Sequence, residues 1–424
     1  MPLLDNARQR LSSVLSEIEL LKDLDFPYSH SREGLEEINR ILRRSLERLD
    51  FLASRRTPPD TDVVNNYCMH SLTQLYEYLP LLGFISRSTS VRNAFETYGP
   101  LLSLAVSVLD KNVKLILSSE WDYSPFAYAL IPHMPSFVLI GLPASESANP
   151  LLLPLAGHEL GHSVWLKKSL LSDYSDLVEK RIVDEINNRW KEFRPLYPTV
   201  ETHQVDDQTI NTALGIAHTF AVLQLEEIFC DLFGLRIFAE SYLYAFEYLV
   251  APRLSGPRPF IYPNVTRRVR HLLEGADKFG IEAPTGYVAA FEDQDEPAQT
   301  DPRFLVSLAD TASESIVAVL IDKVDELAAG FGFAKRSDGN VEVRQLERDA
   351  LLARFRLVVP PTSAESLPNL INAAWICARD PNFWKGVPQI TPDNRENILR
   401  DLVLKSIEVL EIEQILGNGN DSEG

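Results

Sequence analysis

Cysteine and methionine are scarce in this chain, with three of each in 424 residues. Cys68, Cys230 and Cys377 are odd in number and irregularly spaced, which excludes a disulfide framework and points to a reducing compartment. Long hydrophobic runs are missing as well. The most apolar stretches, Leu101 to Leu109 and Phe137 to Leu155, are short or interrupted by Pro, Glu and Ser, so no membrane-crossing helix is expected. The start, Met1-Pro2-Leu3-Leu4-Asp5, lacks the basic segment and apolar run of a secretory signal, and the expectation is a soluble cytoplasmic protein. There is no G-x-S-x-G elbow, no glycine-rich phosphate loop, no cysteine-pair metal site and no internal repeat. Basic charge is in deficit. Against 60 Asp and Glu stand 41 Lys and Arg, and the net charge of −19 repels nucleic acid and anionic membranes while leaving room for a local basic patch.

What is present is ordinary in bulk and specific in one place. The 45% apolar content is that of a folded protein, and the length allows two or three cores. His158-Glu159-Leu160-Gly161-His162 forms an H-E-x-x-H motif, which composition alone would produce in roughly one such chain in a hundred. On a helix, residues four apart share a face, so His158 and His162 can offer two imidazole nitrogens to one metal ion with Glu159 beside them. Apolar Leu155, Ala156, Leu160, Val164 and Trp165 surround the polar residues and predict a helix buried except at the metal face.

Periodicity places this motif within a mainly helical (α+β) chain. Leu35, Ile38, Leu42, Leu49 and Leu52 recur at helical spacing in a segment from Leu3 to about Ile85 that predicts three helices packed on one another. Val113–Leu117 and Phe137–Leu142 read as strands of a small sheet. The motif helix is expected to start between Asn149 and Leu153, with Pro154 in conflict with an early hydrogen bond. Ser172–Arg194 and Val205–Val250 predict two further helical stretches, and Thr391-Pro392-Asp393 predicts the start of the last long helix, with Gly417–Gly424 a frayed tail. The expected domains are an N-terminal helical region at 1–90, a catalytic domain at 91–290 and a C-terminal helical region at 291–424.

A catalytic zinc usually takes three protein ligands and keeps one position for water, so a third ligand is needed. The metzincin pattern is excluded, because Trp165 and Lys168 stand where it needs glycine and histidine. Further along, Glu227-Ile228-Phe229-Cys230-Asp231 places two carboxylates four residues apart on one helix face. With H-E-x-x-H, this E-x-x-x-D segment resembles the thermolysin-like, or gluzincin, zinc metallopeptidases. The resemblance implies a zincin-like core in which His158, His162 and Glu227 bind Zn2+, Glu159 is the general base and Asp231 orients a ligand histidine. Glu226 is the rival third ligand but has Cys230 rather than a carboxylate four residues on, and Cys230 is either a thiolate ligand or a small core residue.

These families also use a donor from a later segment to stabilise the oxyanion. Tyr262-Pro263-Asn264-Val265-Thr266-Arg267-Arg268 is the nearest equivalent, with Tyr262 in place of the His of relatives and Arg268 a support for substrate or for Asp231. A proline-bounded helix start with solvated arginines explains the same residues without function. His218, His30, His70, His133, His203 and His271 lack partners at ligand spacing. The resemblance thus implies a peptidase acting on a peptide or protein, with the strand Phe137–Leu142 as a sheet edge holding extended substrate. The alternatives are a regulatory or binding protein that keeps the fold and uses its helical flanks as partner surfaces, or a metal hydrolase of non-peptide substrates.

Overall fold

Helical periodicity dominates the sequence, and the computed structural model is 71% helix and 5% strand. It describes residues 2–55, 60–90, 94–122, 124–129, 131–198, 208–254, 256–335, 341–361 and 366–420. Backbone contacts group the chain into two compact units, Met1–Tyr98 with Asn112–Ala148, and Gly99–Lys111 with Asn149–Gly424. This division falls elsewhere than at residues 90 and 290. The sheet groups with the N-terminal helices, and the C-terminal helices group with the H-E-x-x-H helix.

In the first unit, α1 (Pro2–Leu21), α2 (Ser29–Ser54) and α3 (Thr61–Arg87) pack pairwise, as their apolar stripes require. Leu35, Ile38, Leu42 and Leu49 are fully buried. Helix α4 (Ala94–Val108) crosses the division at Tyr98 and Gly99. Strands β1 (Lys114–Glu120), β2 (Phe126–Tyr128) and β3 (Phe137–Pro143) form one sheet in the order β1-β3-β2. Two of the strands were legible as short β-branched or aromatic apolar runs; β2, only three residues long, was not. β3 pairs in parallel with β1 along its whole length and antiparallel with β2 through Leu139–Gly141. Both of its edges are therefore used. The expectation that Phe137–Leu142 forms a free sheet edge is corrected, since its backbone groups are already paired where a substrate strand would add.

The second unit is built around α8 (Gln208–Phe238), 31 residues with apolar side chains on every side. By length and composition Asn211–Phe238 could cross a membrane, but most of it is buried inside the protein, as in a core helix. Against it pack α5 (Leu155–Lys167), α6 (Leu170–Asn188), α10 (Val265–Phe279), α11 (Thr300–Glu314) and α12 (Val317–Gly330). The remaining helices are α7 (Trp190–Leu196), α9 (Glu240–Val250), α13 (Val341–Arg356), α14 (Leu367–Arg379) and α15 (Arg395–Asn420). Each long helical stretch expected after the motif is broken once, at Arg189 between α6 and α7 and at Ala239 between α8 and α9. Residues 205–207 and His203 lie outside the described residues.

Two boundaries are corrected. A 3-10 turn at Pro150–Leu152 precedes α5, and Pro154 caps the helix rather than interrupting it, a position at which its missing N–H removes no helical bond. At the other end, α15 starts at Arg395, because Asn394 and Thr391 close a turn on each other (Thr391 N–H to Asn394 Oδ1, 2.7 Å) instead of Thr391 capping a helix. Gly417–Asn420 are helical, and 421–424 lie outside the described residues. Trp375 of α14 donates its indole N–H to Leu151 O at 2.9 Å, tying the C-terminal helices to the turn that leads into α5.

Candidate metal centre

Glycine makes the site possible. On α5, Gly157 and Gly161 each precede a motif histidine and face α8: a Cβ on Gly161 would lie 2.9 Å from Cys230 Cα, and one on Gly157 would lie 3.1 Å from Gly234 Cα. The two helices cross at backbone distance there. Glu226, Glu227 and Asp231 of α8 are thereby brought within reach of His158 and His162, 64 to 73 residues earlier in sequence.

Each imidazole is held at its Nδ1. His158 Nδ1 lies 2.9 Å from Asp231 Oδ1, and His162 Nδ1 lies 2.8 Å from Glu226 Oε1. A carboxylate only accepts, so both Nδ1 atoms carry the proton and both Nε2 atoms are left to act as ligands when the rings are neutral. Those Nε2 atoms face one carboxylate, with Glu227 Oε2 3.4 Å from His158 and Oε1 3.8 Å from His162. Glu227 Oε2 is buried without a hydrogen-bond partner. A buried carboxylate oxygen without a hydrogen bond, beside two oriented imidazoles, fits a cation, because a buried polar atom left unsatisfied is otherwise costly.

Cys230 also lies at the crossing, and its sulfur groups with His158 and His162 through ligand atoms within 4.8 Å of one another. Burial, reinforced by Glu227, Glu226, Glu159 and Asp231, pushes its thiol well above the usual range. Thiolate is the metal-binding form, and Cys230 stands both as a group within ligand distance of the two histidines and as the small residue at the crossing, while Glu227 faces both Nε2 atoms.

Charge is balanced around Asp231. Arg268 of α10 donates to both of its oxygens at 2.8 Å, and Tyr242 of α9 donates to Oδ1 at 2.8 Å. Burial would raise the Asp231 pKa, but the Arg268 charge and the hydrogen bonds from His158 and Arg268 hold it well below the carboxylate range. Burial would lower His158, and its hydrogen bond to Asp231 and the nearby Glu227 carboxylate overrule that, raising it to about 10. Glu227 is pushed up by burial and brought below its usual value by His158, His162 and Arg268. Glu159, 5% exposed, shifts upward because burial outweighs the two histidines.

The structure brings His158, Glu159, His162, Glu227, Asp231, Arg268 and Tyr262 into one region. Arg268 is spent on Asp231 and stacks over the Tyr262 ring at 5.5 Å, so of the two roles read for it the support of Asp231 is the one seen. The Tyr262 hydroxyl makes no hydrogen bond to a described residue, and its pKa is raised to about 12 by burial, with Glu227 adding to the shift. Arg258, buried and paired with Asp310 and Glu296, donates to Tyr262 O at 3.0 Å and fixes the loop that carries it.

Sequence reasoning missed Tyr242 and the contact of Glu226 with His162. In one continuous helix Tyr242 would stand about 16 Å along the axis from Asp231. The break at Ala239, whose φ of 55° is unusual for a residue with a Cβ, turns α9 back so that the phenol reaches that carboxylate. Glu226 was weighed as a ligand; its adjacency to Glu227 was the available signal for its role in holding His162. His218 bonds instead to Ser175 of α6, at 3.1 Å. A cavity of about 770 Å3 elsewhere in this unit, lined by Glu240, Tyr244, Arg348 and Asn372 among others, includes none of these residues. Comparison with protein-family models, with curated proteins and with solved structures gives no match.

Proposed function

We propose that the chain is a zinc metallopeptidase with a zincin-like core, its metal bound by His158, His162 and Glu227. The observation that carries this reading is the pair of imidazoles locked at Nδ1 by separate carboxylates, with both Nε2 atoms turned to a buried Glu227 oxygen that has no hydrogen-bond partner. Zinc bound there would supply a water of lowered pKa and polarise the scissile carbonyl. Glu159, adjacent to His158 and raised in pKa by burial, takes the proton of the attacking water and passes it to the leaving amine. Tyr262 keeps its proton across the physiological range and has its hydroxyl free to donate to the developing oxyanion. Arg268 and Tyr242 hold Asp231, and Asp231 holds His158. The substrate class is peptide or protein, and three free, buried cysteines support a reducing compartment.

Metal analysis and turnover of a quenched peptide library test the reading together. Glu159→Gln is expected to retain about one equivalent of zinc and lose roughly 100-fold or more in turnover. His158→Ala is expected to lose the metal, and Glu227→Gln to lose it more than Cys230→Ser does. Metal-free wild-type protein purified without chelator would overturn the site, and zinc-loaded Glu159→Gln with unchanged activity would favour a binding role.

A further inference from the structure

We propose that the N-terminal unit binds a compact polyphosphorylated ligand in a pocket where Arg40, Arg44 and Arg48 of α2 meet His70 of α3 and His133 of the β2–β3 connection. The pocket encloses about 330 Å3, at the lower end of the range for small-molecule sites. It is separate from the metal centre and does not depend on the peptidase reading.

Three features carry the proposal. The arginines are spaced four apart, so they share one face of α2 and span about 12 Å along it. Like charges at this spacing weaken a helix. In a chain with 60 acidic residues, pairing would be the ordinary remedy, and Arg40 does pair with Glu37. Arg44 and Arg48 pair with nothing described, although Glu47 stands one turn from Arg44. His70 and His133 likewise have no described partner. Finally, His133 has a left-handed φ of 61°, a conformation that costs a residue with a Cβ, at the position that puts it in the pocket lining.

The lining also fixes the class of ligand. Guanidinium forks match phosphate oxygens in pairs, and a 12 Å row of three exceeds what one phosphoryl group can engage, so roughly two or more are called for. Ile41 is the one apolar lining residue, Glu37 lines the pocket beside Arg40, and the aromatic rings in the described lining are the imidazoles of His70 and His133. The floor is firm, because Ser45 donates to the buried Gln74 Oε1 at 2.6 Å.

Titration calorimetry of the full chain with tripolyphosphate at low ionic strength tests this directly, with inorganic phosphate for comparison. Saturable binding is expected, weaker by about tenfold or more in the Arg44→Gln/Arg48→Gln double variant, whose exposed positions leave folding intact. Arg32→Gln, exposed on the same helix and outside the pocket, is expected to bind as wild type does. A sedimentation arm with phosphatidylcholine vesicles, with and without phosphatidylinositol bisphosphate, separates the sources. Retention that depends on Arg44 and Arg48 assigns a lipid headgroup, whereas tripolyphosphate binding without retention assigns a soluble ligand. Absence of Arg44- and Arg48-dependent binding to either probe, or equal weakening by Arg32→Gln, overturns the proposal.

Discussion

The two units treat charge in opposite ways. Around the α5–α8 crossing, His158, Glu227, Asp231 and Arg268 are withdrawn from water and tied to one another, whereas on α2 the arginines stand in solvent and three of them, Arg32, Arg44 and Arg48, pair with nothing described. Burial of an ion is unfavourable unless its partners satisfy it, so the first arrangement survives only as a closed set. Surface charge carries no such demand. The proposed metal centre therefore rests on mutual dependence, and the proposed anion pocket on uncompensated charge.

Breaking the closed set should have the largest effect. Arg268→Met removes the two guanidinium donors to Asp231 and its compensating charge, leaving Tyr242 and His158 as the partners of a buried carboxylate, and a loss of about 3–5 kcal/mol in unfolding free energy is expected. Urea denaturation measures it, and a loss below about 1 kcal/mol would mean that water reaches Asp231 and the set is not closed.

The crossing itself comes next. Gly161→Ala places a methyl 2.9 Å from the Cys230 backbone, which cannot rotate away as a side chain would. The helices must separate, at about 1–3 kcal/mol, partly offset by alanine's helix preference. Zinc stoichiometry should fall with stability, since His158 and His162 move away from Glu227. A variant that binds zinc as wild type does would show that the ligand geometry does not depend on the close approach.

A pH series sharpens the comparison further. In metal-free protein the His158 pKa is raised from 6.5 to about 10, so its contribution to stability is complete below about 6.5 and is lost as pH rises through about 10. Asp231, held below its ordinary value, contributes on the other side, with stability present above its unfolded value and lost as pH falls through the folded one. The chelated protein should therefore weaken between roughly pH 6.5 and 10, and zinc loading, which displaces the His158 proton, should remove that alkaline slope. A flat profile in the chelated protein would mean that His158 is neutral without metal.

How much of this was legible depended on whether a residue's partner was local in sequence. His158, Glu159 and His162 were readable because helical spacing alone places them together, and Glu227 with Asp231 for the same reason. The three N-terminal helices follow from periodicity, and strands β1 and β3 from short apolar runs bounded by Ser, Pro and Gly. Tyr242 was invisible because it depends on one backbone break at Ala239, and β2 because three residues carry no periodic signal. Spacing favoured Glu227 over Glu226 as a ligand, because Asp231 follows it by four, but it did not show the contact of Glu226 with His162 Nδ1, which depends on the close approach of the two helices at Gly157 and Gly161.

The smallest effect is expected where both partners are wet. Arg43 reaches Glu19 across α1 and α2, with each side chain about half exposed, and the Glu19 pKa is lowered first by that contact and then by Lys22. Solvent screens such a pair and its long side chains lose freedom in forming it, so Glu19→Gln should leave the unfolding midpoint unchanged within error. High salt should likewise do little to wild type through this contact. If Glu19→Gln destabilised the chain as much as Arg268→Met, burial would not be what separates the two units, and the α2 arginines would have to be read as structural rather than as ligand-binding groups.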